Sequence, residues 1–232
     1  MLGTKYFLGW RTVGYVEWND YCQRVIKARI SDGLLDDAPI WDDVKTFDGN
    51  PWRGLVDVIT AGFPCQPFSQ AGKQQAGDDL RNGWPDTIRI IREVQPAWVF
   101  LENVPGILAA SHGYFGTVLR ELAESGYDVR WRVLSAAEVG APHKRDRVWI
   151  VAHTPSQRPG VARWWQPPQK RWCRASAQLF TDARRGPFTI PSDIRLHDGV
   201  SPELDELAAA GNAQVPQVAA TAWRLLTANW GC

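Results

Sequence analysis

Apolar and polar positions along the chain fall into two regimes. Short, nearly continuous apolar runs lie at 56–60, 97–101 and 148–152. Runs of that length suit strands buried on both faces of a sheet. Thr12-Val13-Gly14-Tyr15-Val16-Glu17 reads as a further strand that ends in an acid, and Asp128 to Leu134 alternates as a half-buried strand does. Between the runs the period changes. Ile88, Ile91 and Val94 recur at helical spacing, as do Val118, Leu119 and Leu122, and later Val218, Ala219, Trp223, Leu225 and Leu226. Asn19 or Asp20 can cap a helix through Tyr21 to about Ile30, and Gly126 ends the helix that begins at Tyr114. The pattern predicts strands over 13–17, 55–60, 97–101, 129–134 and 147–152. Strands alternating with helices in this way predict an α/β domain of three layers, its sheet mostly parallel with helices on both faces.

Composition narrows the class. A chain of 232 residues with 44% hydrophobic content is globular and of single-domain size. No apolar run approaches membrane-spanning length, and no secretory signal pattern is present. Cys22, Cys65, Cys173 and Cys232 form no CxxC pair, so neither a zinc site nor a disulfide framework is expected. A reduced, cytoplasmic protein is the expectation. The net charge of +1 conceals an asymmetry: residues 158–185 carry a net +6, leaving −5 for the rest. Arg163, Lys170, Arg171 and Arg174 lie in that segment beside Trp164, Trp165 and Trp172. Basic charge interleaved with aromatics suits a nucleic-acid backbone and unstacked bases. A solvated Arg- and Pro-rich insert has the same composition.

Candidate chemistry gathers after the apolar runs. Gly62-Phe63-Pro64-Cys65-Gln66-Pro67-Phe68-Ser69 follows the run at 56–60. Pro64 and Pro67 fix φ and remove amide donors on either side of Cys65, so the loop is stiff. A stiff loop at the carboxyl end of a parallel strand is where α/β sheets keep their ligands. A held thiol nucleophile is one reading of Cys65, and a small buried cysteine in a Pro-rich turn is the other. Glu102 directly follows the apolar run at 97–101. A carboxylate there is costly unless it has a partner or a task, and desolvation would raise its pKa. Arg145 and Arg147 precede the last strand; a one-residue gap in a strand would place both on one face. Glu17, at a strand end before a helix, has the placement of a carboxylate that takes ribose hydroxyls.

The loop Gly62–Ser69 resembles the signature loop of the DNA (cytosine-5) methyltransferases. Glu102-Asn103-Val104, Arg145-Asp146-Arg147, and Gly211-Asn212-Ala213 with Val215-Pro216 follow in that family's order. The resemblance runs from about Val13 to the C-terminal helix, with its weakest stretch at 155–195. It implies a Rossmann-like fold that binds S-adenosylmethionine as methyl donor, with no metal. It implies that Cys65 attacks C6 of a flipped-out cytosine, that Glu102 serves N3, and that Arg145 and Arg147 face the base and the phosphate backbone. Gln66, Ser69, Arg163, Lys170, Arg171 and Arg174 would contact DNA. Glu17 would hold the cofactor ribose, with Trp18 beside the adenine. Asp43, or alternatively Asp42, would take the adenine amino group, next to Val44. Pro64, Trp84, Asn212 and Ala213 would complete the cofactor pocket. By the same resemblance, residues 1–154 form the catalytic domain, 155–195 a reduced target-recognition segment, and 196–232 a return to the catalytic domain.

One departure from the family pattern is large. Its opening strand and Phe-x-Gly-x-Gly-Gly loop have no counterpart here, and only eleven residues precede Thr12. Those glycines let the backbone approach the methionine end of the cofactor. Three readings follow: an inactive relic, one part of a split enzyme completed by a second chain, or a domain with a rebuilt N-terminus. A monomer is expected if no second chain is needed. Double-stranded DNA is the expected partner. A tRNA cytosine-5 methyltransferase and a catalytically dead DNA-binding module are the competing functions.

Overall fold

The computed structural model describes residues 1–64, 82–110, 113–154, 214–228 and 230. Cys65, Gln66, Ser69, Arg163, Lys170, Arg171, Arg174, Asn212 and Ala213 therefore lie outside the described residues, as does the whole segment 155–195.

Described elements run in the order β1 (Tyr15–Val16), α1 (Asp20–Ser31), β2 (Ile40–Trp41), β3 (Val58–Gly62), α2 (Trp84–Val94), β4 (Trp98–Asn103), α3 (Tyr114–Glu124), β5 (Asp128–Leu134), β6 (Arg147–His153) and α4 (Pro216–Thr227). They make two sheets, one of β1 and β2 and one ordered β3-β4-β6-β5. β1 pairs parallel with β2, and β3 parallel with β4. β6 runs antiparallel to both β4 and β5. β3, β4 and β5 thus point one way and only β6 is reversed, in agreement with the mostly parallel sheet expected.

The apolar runs sort by parity, as strand geometry requires. Val99 and Leu101 of β4 and Val148, Ile150 and Ala152 of β6 join Ile88 and Ile91 of α2 and Val118 and Leu122 of α3 in one cluster. Phe100, Trp149 and Val151 turn to the opposite face, against Val218, Ala219, Ala222, Trp223 and Leu226 of α4. The sheet is thereby sandwiched between α2 and α3 on one side and α4 on the other. Leu8 and Trp10 join the α4 side, where Trp10 and Trp223 meet edge to face at 4.6 Å.

Two strand starts differ by two residues or more from the sequence reading. The first strand is confined to Tyr15–Val16 rather than 13–17. Its forerunner Thr12 gives its amide to Asp36 Oδ2 instead of a ladder, and Gly14 lies against the Trp52 ring. β3 starts at Val58 rather than 55, because Leu55 is part of a turn closed on Trp52 and is 72% exposed. At the first helix the cap is Asn19, whose side chain accepts from the Cys22 amide at 3.0 Å.

Candidate active site at the strand ends

Sheet topology decides which residues meet. The carboxyl ends of β3 and β4 lie side by side, with Gly62 opposite Glu102. Because β6 is antiparallel to β4, the start of β6 comes to that same edge, and Asn103 faces Val148. Pro64, Glu102, Arg145 and Arg147, scattered over more than eighty positions, therefore converge. Arg147 Nε meets Glu102 Oε1 at 2.9 Å, with little exposure of either side chain. The other carboxylate oxygen, Oε2, looks toward β3: it lies 3.2 Å from where a side chain on Gly62 would begin. Glycine at 62 leaves room for the carboxyl beside the strand that leads into Cys65.

Burial dominates the electrostatics of Glu102. Desolvation raises its pKa above the ordinary carboxylate value, and Arg147, Gln214 and Arg145 only partly oppose this. The group is thus biased toward holding a proton while Oε1 stays anchored. Gln214 contributes a side-chain hydrogen bond to Glu102. The sequence reading did not single it out, although it adjoins Asn212 and Ala213 in the same short motif. The signal was the position just before the C-terminal helix, which α4 carries to the mouth of β4.

The arginines depart from their expected arrangement. Arg145 is not on the strand; its backbone is left-handed, with φ of 41°. β6 begins only at Arg147. The alternation that would place both on one face does not apply, and what joins them is Glu102. Arg145 is itself partly desolvated, and it feels both Arg147 and Glu102. Arg147 is engaged with the carboxylate and with the Asp146 carbonyl at 2.8 Å. That engagement does not suit the phosphate contact expected of it.

The described residues on either side of 65–81 are tied to the strands and to each other. Asn103, 4% exposed, donates from Nδ2 to the Phe63 carbonyl at 3.0 Å. Gly83 gives its amide to the Pro64 carbonyl at 3.2 Å. Asn82 binds the Trp84 amide and the Tyr114 hydroxyl. A side chain on Gly83 would sit 2.5 Å from Pro64 Cδ. Gly83→Ala is accordingly expected to displace Pro64 and to destabilise the fold by about 1–3 kcal/mol through overpacking. Urea unfolding measures this, and a change under about 0.5 kcal/mol would mean that Pro64 and Gly83 are not tightly packed. Trp84 departs from its expected role. It is 2% exposed, packs on Phe63, and gives its indole N–H to Glu121 at 2.7 Å. Trp84 belongs to the core and offers no face to a cofactor.

A second group stands at the carboxyl ends of β1 and β2. Glu17 follows β1, and Asp43 and Val44 follow β2. The parallel register sets Val16 beside Trp41, so the two acids share one edge. Glu17 Oε1 accepts the Asn19 amide at 2.9 Å and Asp43 Oδ1 the Lys45 amide at 2.8 Å. Among the described residues, no hydrogen bond reaches the second oxygen of either carboxylate. Trp18 is 78% exposed beside Glu17. Two oriented acids and an open indole fit an adenosine group, with hydroxyl and amino donors for the acids and a ring face for Trp18. Val44 is tied back through its carbonyl, which accepts from Arg89 at 2.7 Å.

An α/β sheet with one reversed strand, and with its candidate chemistry at the parallel strand ends, has the fold of S-adenosylmethionine-dependent methyltransferases. Solved structures share it: a putative DNA modification methyltransferase of an E. coli prophage superposes with a TM-score of 0.52 at 25% identity, covering 66% of this chain and 42% of that one. DNMT2 of Spodoptera frugiperda gives a TM-score of 0.54 at 20% identity over 73% of this chain and 49% of that one, a likeness of fold. The chain belongs to the C-5 cytosine-specific DNA methylase family, whose model matches residues 4–182. Among curated relatives, the type II methyltransferase M.BsuFI of Bacillus subtilis is 42% identical over 142 residues, 60% of this chain and 33% of its own length. M.NgoMIV of Neisseria gonorrhoeae is 39% identical over 119 residues, 49% of this chain and 38% of its own length. The chain thus spans little more than a third of these relatives.

Proposed function

We propose that the chain carries the base-activating half of a DNA (cytosine-5-)-methyltransferase. The observation that supports this best is the buried Glu102–Arg147 pair at the end of β4, placed beside β3, whose end at Gly62 comes three positions before Cys65 in the sequence. Glu17, Trp18 and Asp43 would hold S-adenosylmethionine, which would supply the methyl group. The chain's own residues prepare the base. A cytosine out of the stack presents C6 to the Cys65 thiolate. A protonated Glu102 meets N3 through Oε2, so that charge from the attack does not build up on the ring. Arg147 fixes Oε1, and Gln214 restrains the same carboxyl. Arg145 lies close enough to feel Glu102 and suits the O2 edge of the base. No metal takes part in this scheme.

Asn212 and Ala213 are proposed to adjoin the cofactor pocket, and Gln66 and Ser69 the DNA. The relatives bear the type II methyltransferase name, and a restriction-modification role is proposed here on that basis. Labelled methyl transfer from S-adenosylmethionine tests the reading with duplex DNA and tRNA in parallel. Label in DNA that is lost in Cys65→Ser supports it; label in tRNA alone would move the substrate to RNA. Because the glycine loop of the family has no counterpart among residues 1–64, the chain by itself is expected to bind the cofactor weakly. Loss of two charge-assisted hydrogen bonds, at about 1.5–3 kcal/mol each, costs on the order of a hundredfold or more in affinity. Micromolar binding in a calorimeter, abolished by Glu17→Ala, would show that residues 1–64 hold the cofactor by other means.

The segment 155–195 is proposed to read DNA. Replacing Arg163, Lys170, Arg171 and Arg174 by alanine should weaken DNA binding and flatten its salt dependence. The slope should fall by roughly one unit for each phosphate that is no longer neutralised. An unchanged slope would return the segment to a solvated linker.

A further inference from the structure

A carboxyl that gives up a proton and takes it back has to be held in two states. On β4, Glu102 has the parity of Phe100, which turns toward α4. Directly opposite it in the ladder stands Trp149, 3% exposed and stacked on Phe100 at 5.3 Å. These rings keep water from that side of the carboxyl. β3 presents only Gly62, without a side chain. Arg147 of β6 takes Oε1 at 2.9 Å, and Arg145 acts from the loop before that strand. Gln214, half-buried just ahead of α4, adds its side-chain hydrogen bond. Among the described residues, the two arginines are the charged groups that act on Glu102.

These partners differ in what they can do. A guanidinium has only N–H donors and keeps its charge. Arg145 and Arg147 can therefore serve the carboxylate but cannot receive the hydrogen of the acid. An amide has a donating NH2 and an accepting oxygen, exchanged by a half-turn of its last bond. Gln214 can thus give an N–H to the carboxylate and receive the O–H of the acid. The backbone beside it is well fixed. Val215 packs into the cluster on the α4 side, and Pro216 opens the helix with its φ set by the ring.

We propose that Gln214 is a positioning residue of the base-activating reaction: its amide accepts the Glu102 O–H before a base arrives, and donates to the carboxylate once the proton has gone to N3. In that step the O–H bond breaks, an N3–H bond forms, and the electron pair stays on the carboxylate. The return of the proton reverses each change. Arg147 holds Oε1 in both states, so the proton is carried by Oε2, the oxygen that looks toward β3. The bond from Gln214 also opposes the rise that burial imposes on Glu102, as a donor to a carboxylate must. The proposal rests on the reading above of Glu102 as the proton donor, and it names the residue that keeps that donor aligned.

A nuclear magnetic resonance titration of the full chain, isotopically labelled at its glutamate carboxyls and glutamine side-chain amides, tests this without cofactor or nucleic acid. The Glu102 signal is the one missing from Glu102→Gln, and the Gln214 signal the one missing from Gln214→Met. In the unaltered chain Glu102 should titrate above the ordinary glutamate range, and the Gln214 amide should move with the same midpoint. Gln214→Met keeps the length of the side chain and loses both hydrogen-bonding ends. The carboxylate loses more than the acid, because bonds to charged groups are the stronger ones, so the midpoint should rise by about one pH unit. Gln214→Leu, of like volume, should do the same. A merely structural role predicts the opposite sign: a loosened site admits water and returns Glu102 toward the ordinary range. A midpoint that falls or stays in both variants overturns the proposal. So does a Gln214 amide that ignores the Glu102 titration. Either failure leaves the Cys65–Glu102 reading standing, because no reaction is measured. Failure of that reading would show instead as absent release of tritium from cytosine C5 by the unaltered chain, with the titration unchanged.

Discussion

Glu102→Gln is expected to slow methyl transfer by about 10²–10⁴-fold while leaving DNA affinity within a few-fold of the parent. The amide keeps the shape of the carboxyl and can still accept from Arg147, but it has no proton to give to N3. The pH dependence follows from the same burial. The folded-state pKa of Glu102 is raised above its unfolded value. Its contribution to stability is therefore fully present below the unfolded value, near the ordinary range of glutamate, and is lost as pH rises through the folded value. Its acid role fades over that same upper range, whereas the Cys65 thiolate gains with pH. Opposed limbs should give a bell-shaped kcat profile, and Glu102→Gln should remove the alkaline limb that the acid imposes. A variant that retained both limbs and more than a tenth of the rate would place the proton donor elsewhere.

The second large effect is on stability. Trp223→Ala should destabilise the fold by about 3–5 kcal/mol in urea unfolding. Trp223 is 3% exposed at the centre of an aromatic cluster. Its ring lies 4.6 Å from Trp10, 5.3 Å from Trp98 and 5.4 Å from Phe100, all edge-on. Edge-on aromatic pairs contribute about 0.5–1.5 kcal/mol beyond area burial. The cluster joins the N-terminal segment, β4 and α4, so its removal loosens the helix that carries Gln214 to Glu102. A change below about 1 kcal/mol would show that α4 is not integral to the core.

Much of this was legible along the chain. Runs such as Val99–Leu101 and Val148–Val151 have no polar interruption, so their place in the middle of the sheet could be read directly. Glu102 was legible as a costly acid after such a run, and its buried ion pair gives the partner that the expectation required. The Arg145–Arg147 pair misled, because the alternation rule presupposes a strand. The left-handed backbone at Arg145 depends on the turn that brings Lys144 to the Ala136 amide, a tertiary interaction without local pattern. Trp84 misled for a related reason. A large aromatic after a glycine suits a pocket wall or a core equally, and Glu121, thirty-seven positions away, holds it in the core by accepting a hydrogen bond from its indole N–H. Short β1 and β2 were hard to delimit because each has so short a ladder that neighbouring turns decide its ends.

The claim at the centre is that Cys65 and Glu102 activate cytosine together, and one measurement reaches it without depending on the cofactor cleft. Addition of the Cys65 thiolate to C6, with a proton delivered to N3, leaves C5 as the nucleophilic carbon of an enamine. C5 can then take a proton from water; loss of the original C5 hydrogen, return of the N3 proton to Glu102 and expulsion of the thiolate restore the base. Duplex DNA tritiated at cytosine C5 should therefore release tritium into water when incubated with the chain in the absence of S-adenosylmethionine. Release should disappear in Cys65→Ser and fall at least a hundredfold in Glu102→Gln. Release that persists in Cys65→Ser, or its absence from the unaltered chain bound to the same DNA, would contradict the account.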